Sequence, residues 1–91
     1  MTIISIRIRE ARESLGMTQP QLASRMNLRT HITISRWENG KTEPSLGNVV
    51  SLCEALGVSA DWLLGVSDEA SESVKYRRLV AKLREIVEEA E

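Results

Sequence analysis

Basic side chains are concentrated between residues 25 and 41 of this 91-residue chain. The interval holds Arg25, Arg29, Arg36 and Lys41 against a single acid, Glu38. Cationic groups at this density attract phosphate, and an arginine can also hydrogen-bond O6 and N7 of a guanine together. Because the net charge of the whole chain is -1, this local basicity, and not the overall balance, points to a nucleic acid as partner.

The composition does not indicate a catalytic or a metal-binding site. The chain has one histidine, His31, and one cysteine, Cys53, so it lacks the residues for an intrachain disulfide or for a Cys or His pair at metal spacing. Serine, cysteine and histidine do not combine at catalytic spacing, and the acidic residues show no paired arrangement. We therefore expect neither an enzyme nor a cofactor.

Hydropathy predicts a protein that stays in the cytoplasm and has no membrane partner. No apolar run approaches the roughly 18 residues that a bilayer-spanning helix requires. The N-terminal residues also lack the long apolar core of a signal peptide.

The spacing of apolar residues predicts an all-α fold. A first helix ends at Gly16, and its apolar positions are Ile4, Ile8, Ala11 and Leu15. Residues 4–8 also alternate singly between apolar and polar, as a strand would. The continuation of the helical period to Leu15 favours the helix.

Two short helices and a turn are predicted next. Thr18 is the expected N-cap of the second helix, with Gln21 three residues later as in a capping box. After a turn at residues 27–29, we expect a third helix with Thr30 as its N-cap, running to about Glu38. Asn39 and Gly40 close it, since glycine suits the left-handed position after a helix.

Two further helices complete the first 65 residues. Pro44 and Ser45 open a fourth helix that Gly57 ends, and Ser59 caps a short fifth helix that Gly65 ends. Residues 1–65 are thus predicted to form one domain of five helices.

The remainder of the chain is predicted to hold a linker and one more helix. Residues 66–73 are small, polar and acidic, which is typical of a linker, and residues 74–91 show helical spacing over two heptads. The apolar stripe of this C-terminal helix consists of Tyr76, Leu79, Val80, Leu83, Ile86 and Val87. It either pairs with a second copy to form a homodimer, which we favour because two-fold dimers are the commonest oligomers, or packs back on the bundle as a sixth helix.

Several short motifs occur in a fixed order along the chain. They are Leu-Gly-Met-Thr-Gln at 15–19, Ile-Ser-Arg-Trp-Glu-Asn-Gly at 34–40, Ala-Leu-Gly-Val-Ser at 55–59 and Trp-Leu-Leu-Gly at 62–65. Together they resemble the XRE family, the Cro/CI-type helix-turn-helix regulators that include the lambda-like phage repressors. The resemblance covers about Ile4 to Gly65 and implies a five-helix bundle, in which the third helix enters the major groove of DNA.

The resemblance also implies roles for individual residues. The base-reading positions would be His31, Ile32 and Arg36, with Thr30 and Ser35 beside them. The phosphate-binding positions would be Gln19, Thr33, Asn39 and Lys41, with Arg29 as an additional one. Glu38 matches a family glutamate that pairs with an arginine of the first helix, so we expect a structural ion pair between Arg12 and Glu38.

The spacing departs from the family at one point. Between Met26 and Ile34 the chain carries one residue more than is usual, and we place it in the turn at or near Arg29. This register keeps Thr30 as the cap and Ile34 in the core. The alternative register would move Arg29 and His31 relative to the groove.

The resemblance implies a sequence-specific transcriptional regulator, a repressor that binds double-stranded DNA. It would bind as a dimer to a pseudo-palindrome whose half-sites lie about 34 Å apart. The alternative is an antitoxin or adaptor that binds a small protein partner through residues 74–90 and also controls its own promoter.

Overall fold

The computed structural model describes residues 2–68, which form five α-helices. They are α1 (Ile3–Ser14), α2 (Gln19–Arg25), α3 (Ile32–Glu38), α4 (Leu46–Leu56) and α5 (Ala60–Leu63). No strand occurs in this part of the chain, so the prediction of an all-α, five-helix bundle is confirmed. The predicted C-terminal helix with its apolar stripe, and most of the predicted linker, lie outside the described residues.

Hydroxyl side chains fix the start of four of these helices. Thr2, Thr18, Ser45 and Ser59 each accept a hydrogen bond from the backbone amide three residues later. At α2 the predicted capping box is complete, because the amide of Thr18 also donates to Oε1 of Gln21 at 2.8 Å. A cap of this kind contributes about 1 kcal/mol, which is substantial for helices as short as α2 and α5.

The start of α3 differs from the prediction. His31 and not Thr30 occupies the N-cap position, its side chain makes no capping hydrogen bond, and the helix begins at Ile32. His31 already has helical dihedral angles, φ -74 and ψ -10. Thr30 therefore lies one position too early to cap the helix, and its Oγ1 accepts from the amide of Ile32 two residues later, at 3.2 Å.

The predicted turn between α2 and α3 depends on Asn27. This residue has a left-handed φ of 57, and asparagine tolerates that conformation better than most residues. The reversal lets the amide of Leu28 donate to the carbonyl of Ala23 at 2.9 Å, which closes the end of α2. Leu28 then packs against the core and directs the chain toward α3.

The core is aliphatic apart from one tryptophan. α1 packs against α3, α4 and α5, α2 packs against α3, and α4 packs against α5. The buried hydrophobic residues are Ile8, Ala11, Leu22, Ala23, Ile34, Trp37, Val49, Leu52, Ala55, Leu56 and Leu63. Every helix contributes to this cluster, so the position of α3 is set by contacts on several sides.

The chain stays attached to α1 after α5 ends. Nη1 of Arg7 donates to the backbone carbonyl of Trp62 and, at 2.9 Å, to that of Ser67. The same guanidinium lies 4.9 Å from the ring centroid of Trp62, and Nη2 is 3.5 Å from the carboxylate of Asp68. Residues 66–68, predicted as the start of a linker, are therefore held against the bundle.

Candidate nucleic-acid interface

The helix α3 has one buried face and one exposed face. Ile34, Trp37 and Glu38 are buried in the bundle, whereas Ile32 and Arg36, four residues apart, are exposed side by side. The exposed face carries an apolar side chain and a cation that has no partner among residues 2–68, and neither contributes to the core. It is therefore available for a partner.

The predicted base-reading residues all lie on or next to this exposed face. Thr30, His31, Ile32 and Arg36 are exposed, and Ser35 is half-buried beside them. Arg36 makes no side-chain hydrogen bond or ion pair with any residue between 2 and 68. Its guanidinium is free to form the paired hydrogen bonds that guanine offers.

The predicted phosphate-binding residues flank α3. Arg29 is exposed in the turn before the helix, Thr33 is half-buried in its first turn, and Lys41 is exposed just after its end. The ammonium group of Lys41 has no partner in the described part of the chain, while its backbone amide donates to the carbonyl of Arg36 at 2.9 Å. Exposed cations without a partner among residues 2–68 thus precede and follow α3.

Glu38 lies at the centre of a buried polar network that supports this surface. Its side chain is fully buried. Arg12 approaches it from α1, with Nε donating to Oε2 at 2.7 Å and Nη2 to Oε1 at 2.9 Å. The third nitrogen of Arg12 donates to the carbonyl of Met17 at 2.8 Å. Arg12 and Glu38 thus form the expected pair, and all three guanidinium nitrogens are used.

The network keeps Glu38 ionised. Burial alone would raise the pKa of this carboxyl, but hydrogen bonds from Arg12, Gln19 and Arg9, with the charge of Arg12, outweigh it. The pKa of Glu38 is consequently below its ordinary value. An ionised carboxylate only accepts hydrogen bonds, which fixes the orientation of every side chain around it.

Gln19 and Asn39, both predicted to bind phosphate, are connected to this network. Nε2 of Gln19 donates to Oε1 of Glu38 at 3.2 Å, and this nitrogen retains a second proton for another acceptor. Oδ1 of Asn39 accepts from Arg9 at 3.2 Å, and its Nδ2 donates to Oγ of Ser35 at 3.2 Å. The two residues are therefore held in place before any ligand binds.

Arg9 is the member of the network that was absent from the predicted set. Its Nε lies 3.2 Å from Oε1 of Glu38, and its Nη2 binds Asn39. A signal for it existed, because Arg9 precedes Arg12 by three residues and therefore lies on the same face of α1.

Other candidate groups do not form a site. Arg25 donates to the carbonyl of Ala55 at 3.1 Å and so faces α4. Cys53 packs against the core, and burial, with the nearby charge of Glu54, raises the pKa of its thiol. Within residues 2–68, no group of three or more His, Cys, Asp and Glu residues could hold a metal ion. No helix in that range has the length and apolar character needed to cross a membrane.

Comparisons of sequence and of structure both relate this chain to helix-turn-helix proteins. A family model described as Helix-turn-helix matches residues 8–63. The HTH-type transcriptional regulator DicA of Escherichia coli (strain K12) is 38% identical over 61 residues, which cover 67% of this chain and 44% of DicA. The HTH-type transcriptional regulator ImmR of Bacillus subtilis (strain 168) is 30% identical over 83 residues, covering 91% of this chain and 64% of ImmR. The chain thus spans less than two thirds of either relative.

A solved structure extends the similarity to a protein bound to DNA. The crystal structure of the P22 c2 repressor protein in complex with a synthetic operator superposes with a TM-score of 0.65 and 34% sequence identity. The match covers 70% of this chain and 96% of the repressor chain.

Proposed function

Because the chain belongs to the helix-turn-helix family of transcriptional regulators, we propose that it binds double-stranded DNA and represses transcription. The resemblance to XRE-type, Cro/CI-like regulators is confirmed by the family model and by these relatives. The family is one of regulators and not of enzymes. DNA of bacterial or phage origin lies in the cytoplasm, so the proposed role implies that location.

The observation that carries the proposal is the exposed face of α3. Ile32 and Arg36 extend from it without partners in the described part of the chain, while Ile34 and Trp37 fix the opposite face in the core. A major groove about 12 Å wide admits a helix presented in this way. Arg36 would read a guanine and Ile32 would pack on a thymine methyl, with His31, Thr30 and Ser35 at neighbouring positions.

Phosphate contacts would set the register of α3 on the duplex. Gln19 lies at the start of α2, and Lys41 and Asn39 follow the end of α3, so two segments would hold the backbone on either side of the groove. Arg29 and Thr33 would add contacts near the start of α3. These contacts carry no sequence information, but they make binding dependent on salt.

We further propose that the protein acts as a homodimer on a pseudo-palindromic operator. One small helix-turn-helix unit offers few base contacts, and two copies one helical turn apart double them. The apolar stripe of residues 74–90 supplies the proposed dimer contact.

The proposal is tested by selecting bound fragments from the genomic DNA of the source organism at near-physiological salt. Enrichment of an inverted repeat upstream of a gene, with half-sites about one helical turn apart, is the expected result. The control is the double variant Arg36→Ala, Lys41→Ala, which removes two exposed cations and leaves the core intact. The proposal fails if the folded wild-type protein enriches no fragment beyond this control.

A further inference from the structure

We propose that Arg9 is an additional phosphate-binding residue of the interface, oriented by Glu38 and Asn39. The inference rests on the proposed function, since the phosphate belongs to the bound duplex. It adds a residue of α1 to a contact surface otherwise assigned to α2, α3 and their adjoining loops.

Two of the three guanidinium nitrogens of Arg9 have partners, and the third, Nη1, has none among residues 2–68. Nε faces Oε1 of Glu38 at 3.2 Å, and Nη2 donates to Oδ1 of Asn39 at 3.2 Å. Nη1 has no partner among residues 2–68, and 40% of the side chain is exposed. A charged donor that is already oriented loses little conformational freedom when it binds an anion.

Within this ion-pair cluster, Arg9 carries its positive charge at the surface. Arg9 and Arg12 both contact the carboxylate of Glu38, and Nη2 of Arg12 also lies 3.7 Å from the exposed carboxylate of Glu13. Arg12 is the closer partner of Glu38 and only 11% of its side chain is exposed, whereas 40% of the Arg9 side chain is exposed. The guanidinium of Arg9 therefore reaches the surface with a donor that has no partner among residues 2–68.

The position of Arg9 places this charge between two predicted phosphate ligands. Gln19 donates to the same oxygen of Glu38 that Arg9 contacts, and Asn39 binds Arg9 directly. A phosphate bound by Gln19 or Asn39 would therefore lie close to Nη1 of Arg9. A hydrogen bond from a charged donor such as Nη1 to a phosphate oxygen is stronger than one between neutral groups.

The other arginines of α1 cannot take this role. All three guanidinium nitrogens of Arg12 are used by Glu38 and Met17. Arg7 is bound to the carbonyls of Trp62 and Ser67, which lie at the end of the described chain and not beside α3.

The test is a titration of Arg9→Gln against the operator fragment and against a random duplex of equal length, at several salt concentrations. Loss of one phosphate contact should weaken both complexes alike, by about tenfold per site. The plot of log K against log salt has a negative slope, and this slope should become shallower by about 0.9 for each Arg9 that is replaced. Arg9→Lys keeps the charge and should retain the wild-type slope.

Arg25→Gln is the matched control, because it removes the same charge from a side chain that faces α4. It should leave the slope unchanged. Circular dichroism melts show that each variant is folded before its titration. If Arg9→Gln is folded and keeps the wild-type slope, Arg9 only supports the structure and the inference is overturned. If the wild-type protein binds neither duplex, the proposed function fails and this inference with it.

Discussion

Arg12 connects Glu38 to the turn between α1 and α2, since one guanidinium binds both the carboxylate and the carbonyl of Met17. Three segments are joined in this way: α1, the entry to α2 and the last residue of α3. Arg12, a residue of α1, thus fixes α2 and α3 of the helix-turn-helix relative to each other.

Replacing Arg12 by Met should destabilise the fold by about 3 kcal/mol, because it leaves the buried charge of Glu38 without its main partner. Arg29→Met, which removes an exposed arginine with no partner in the described structure, should change the stability by less than about 0.5 kcal/mol. Urea unfolding followed by circular dichroism measures both values. Equal midpoints for the two variants would show that the pair contributes nothing.

Acidification should remove the contribution of Glu38. Its pKa in the folded protein is below the ordinary value of 4.5, so the unfolded chain binds the proton more tightly. The stabilisation is therefore complete above pH 4.5 and is lost as the pH falls through the lower folded-state pKa.

The pH dependence is measured as the free energy of unfolding between about pH 3 and pH 7, for wild type and Glu38→Gln. The variant should be less stable near neutrality and should lose less stability on acidification. If the free energy of unfolding changed with pH in the same way for both proteins, Glu38 would not be the group responsible.

Patterns within a few residues predicted most of the fold, while contacts between distant residues required the structure. The hydroxyl caps at Thr18, Ser45 and Ser59 were predictable because a cap bonds an amide three residues away. The predicted N-cap of α3 was wrong by one residue, because the Thr30 hydroxyl accepts from the amide two residues later and not from the amide three residues later.

The site could be predicted only in part for the same reason. The position of the site followed from the short sequence motifs at residues 15–19 and 34–40. The pairing of Arg12 with Glu38 followed from the family resemblance. The contact of Arg9 with Asn39 joins residues far apart in sequence, and no local pattern marks it. The individual DNA contacts remain predictions.

Arg36 and Lys41 should differ in what they contribute to binding. Arg36→Ala should lose discrimination between the operator and a scrambled duplex by about 1–3 kcal/mol, because a guanine contact is removed. Lys41→Ala should weaken binding to both duplexes alike, since a phosphate contact carries no sequence information.

Fluorescence anisotropy with the two labelled duplexes measures both effects. Both side chains are exposed, so each variant should melt at the wild-type temperature. Equal losses on the two duplexes for Arg36→Ala would remove it from the base-reading set.

Gly65 should tolerate a side chain less well than Gly16. Both have a left-handed φ, +85 and +68, which costs an L-residue about 1–2 kcal/mol. A Cβ at Gly65 would also lie 2.9 Å from Cγ2 of Ile3, whereas nothing lies within 4 Å of one at Gly16. Gly65→Ala should therefore lower the melting temperature more than Gly16→Ala. The same decrease in both would mean that Ile3 moves aside without cost.

The two tryptophans give this small unit its own optical probes. Trp37 belongs to α3 and is buried in the core, whereas Trp62 belongs to α5 and lies half-buried under the guanidinium of Arg7. With Trp62→Phe, the emission of the remaining indole among residues 2–68 reports on the helix proposed to enter the groove. Binding and local opening of that helix can then be followed by intrinsic fluorescence, without a label on either the protein or the DNA.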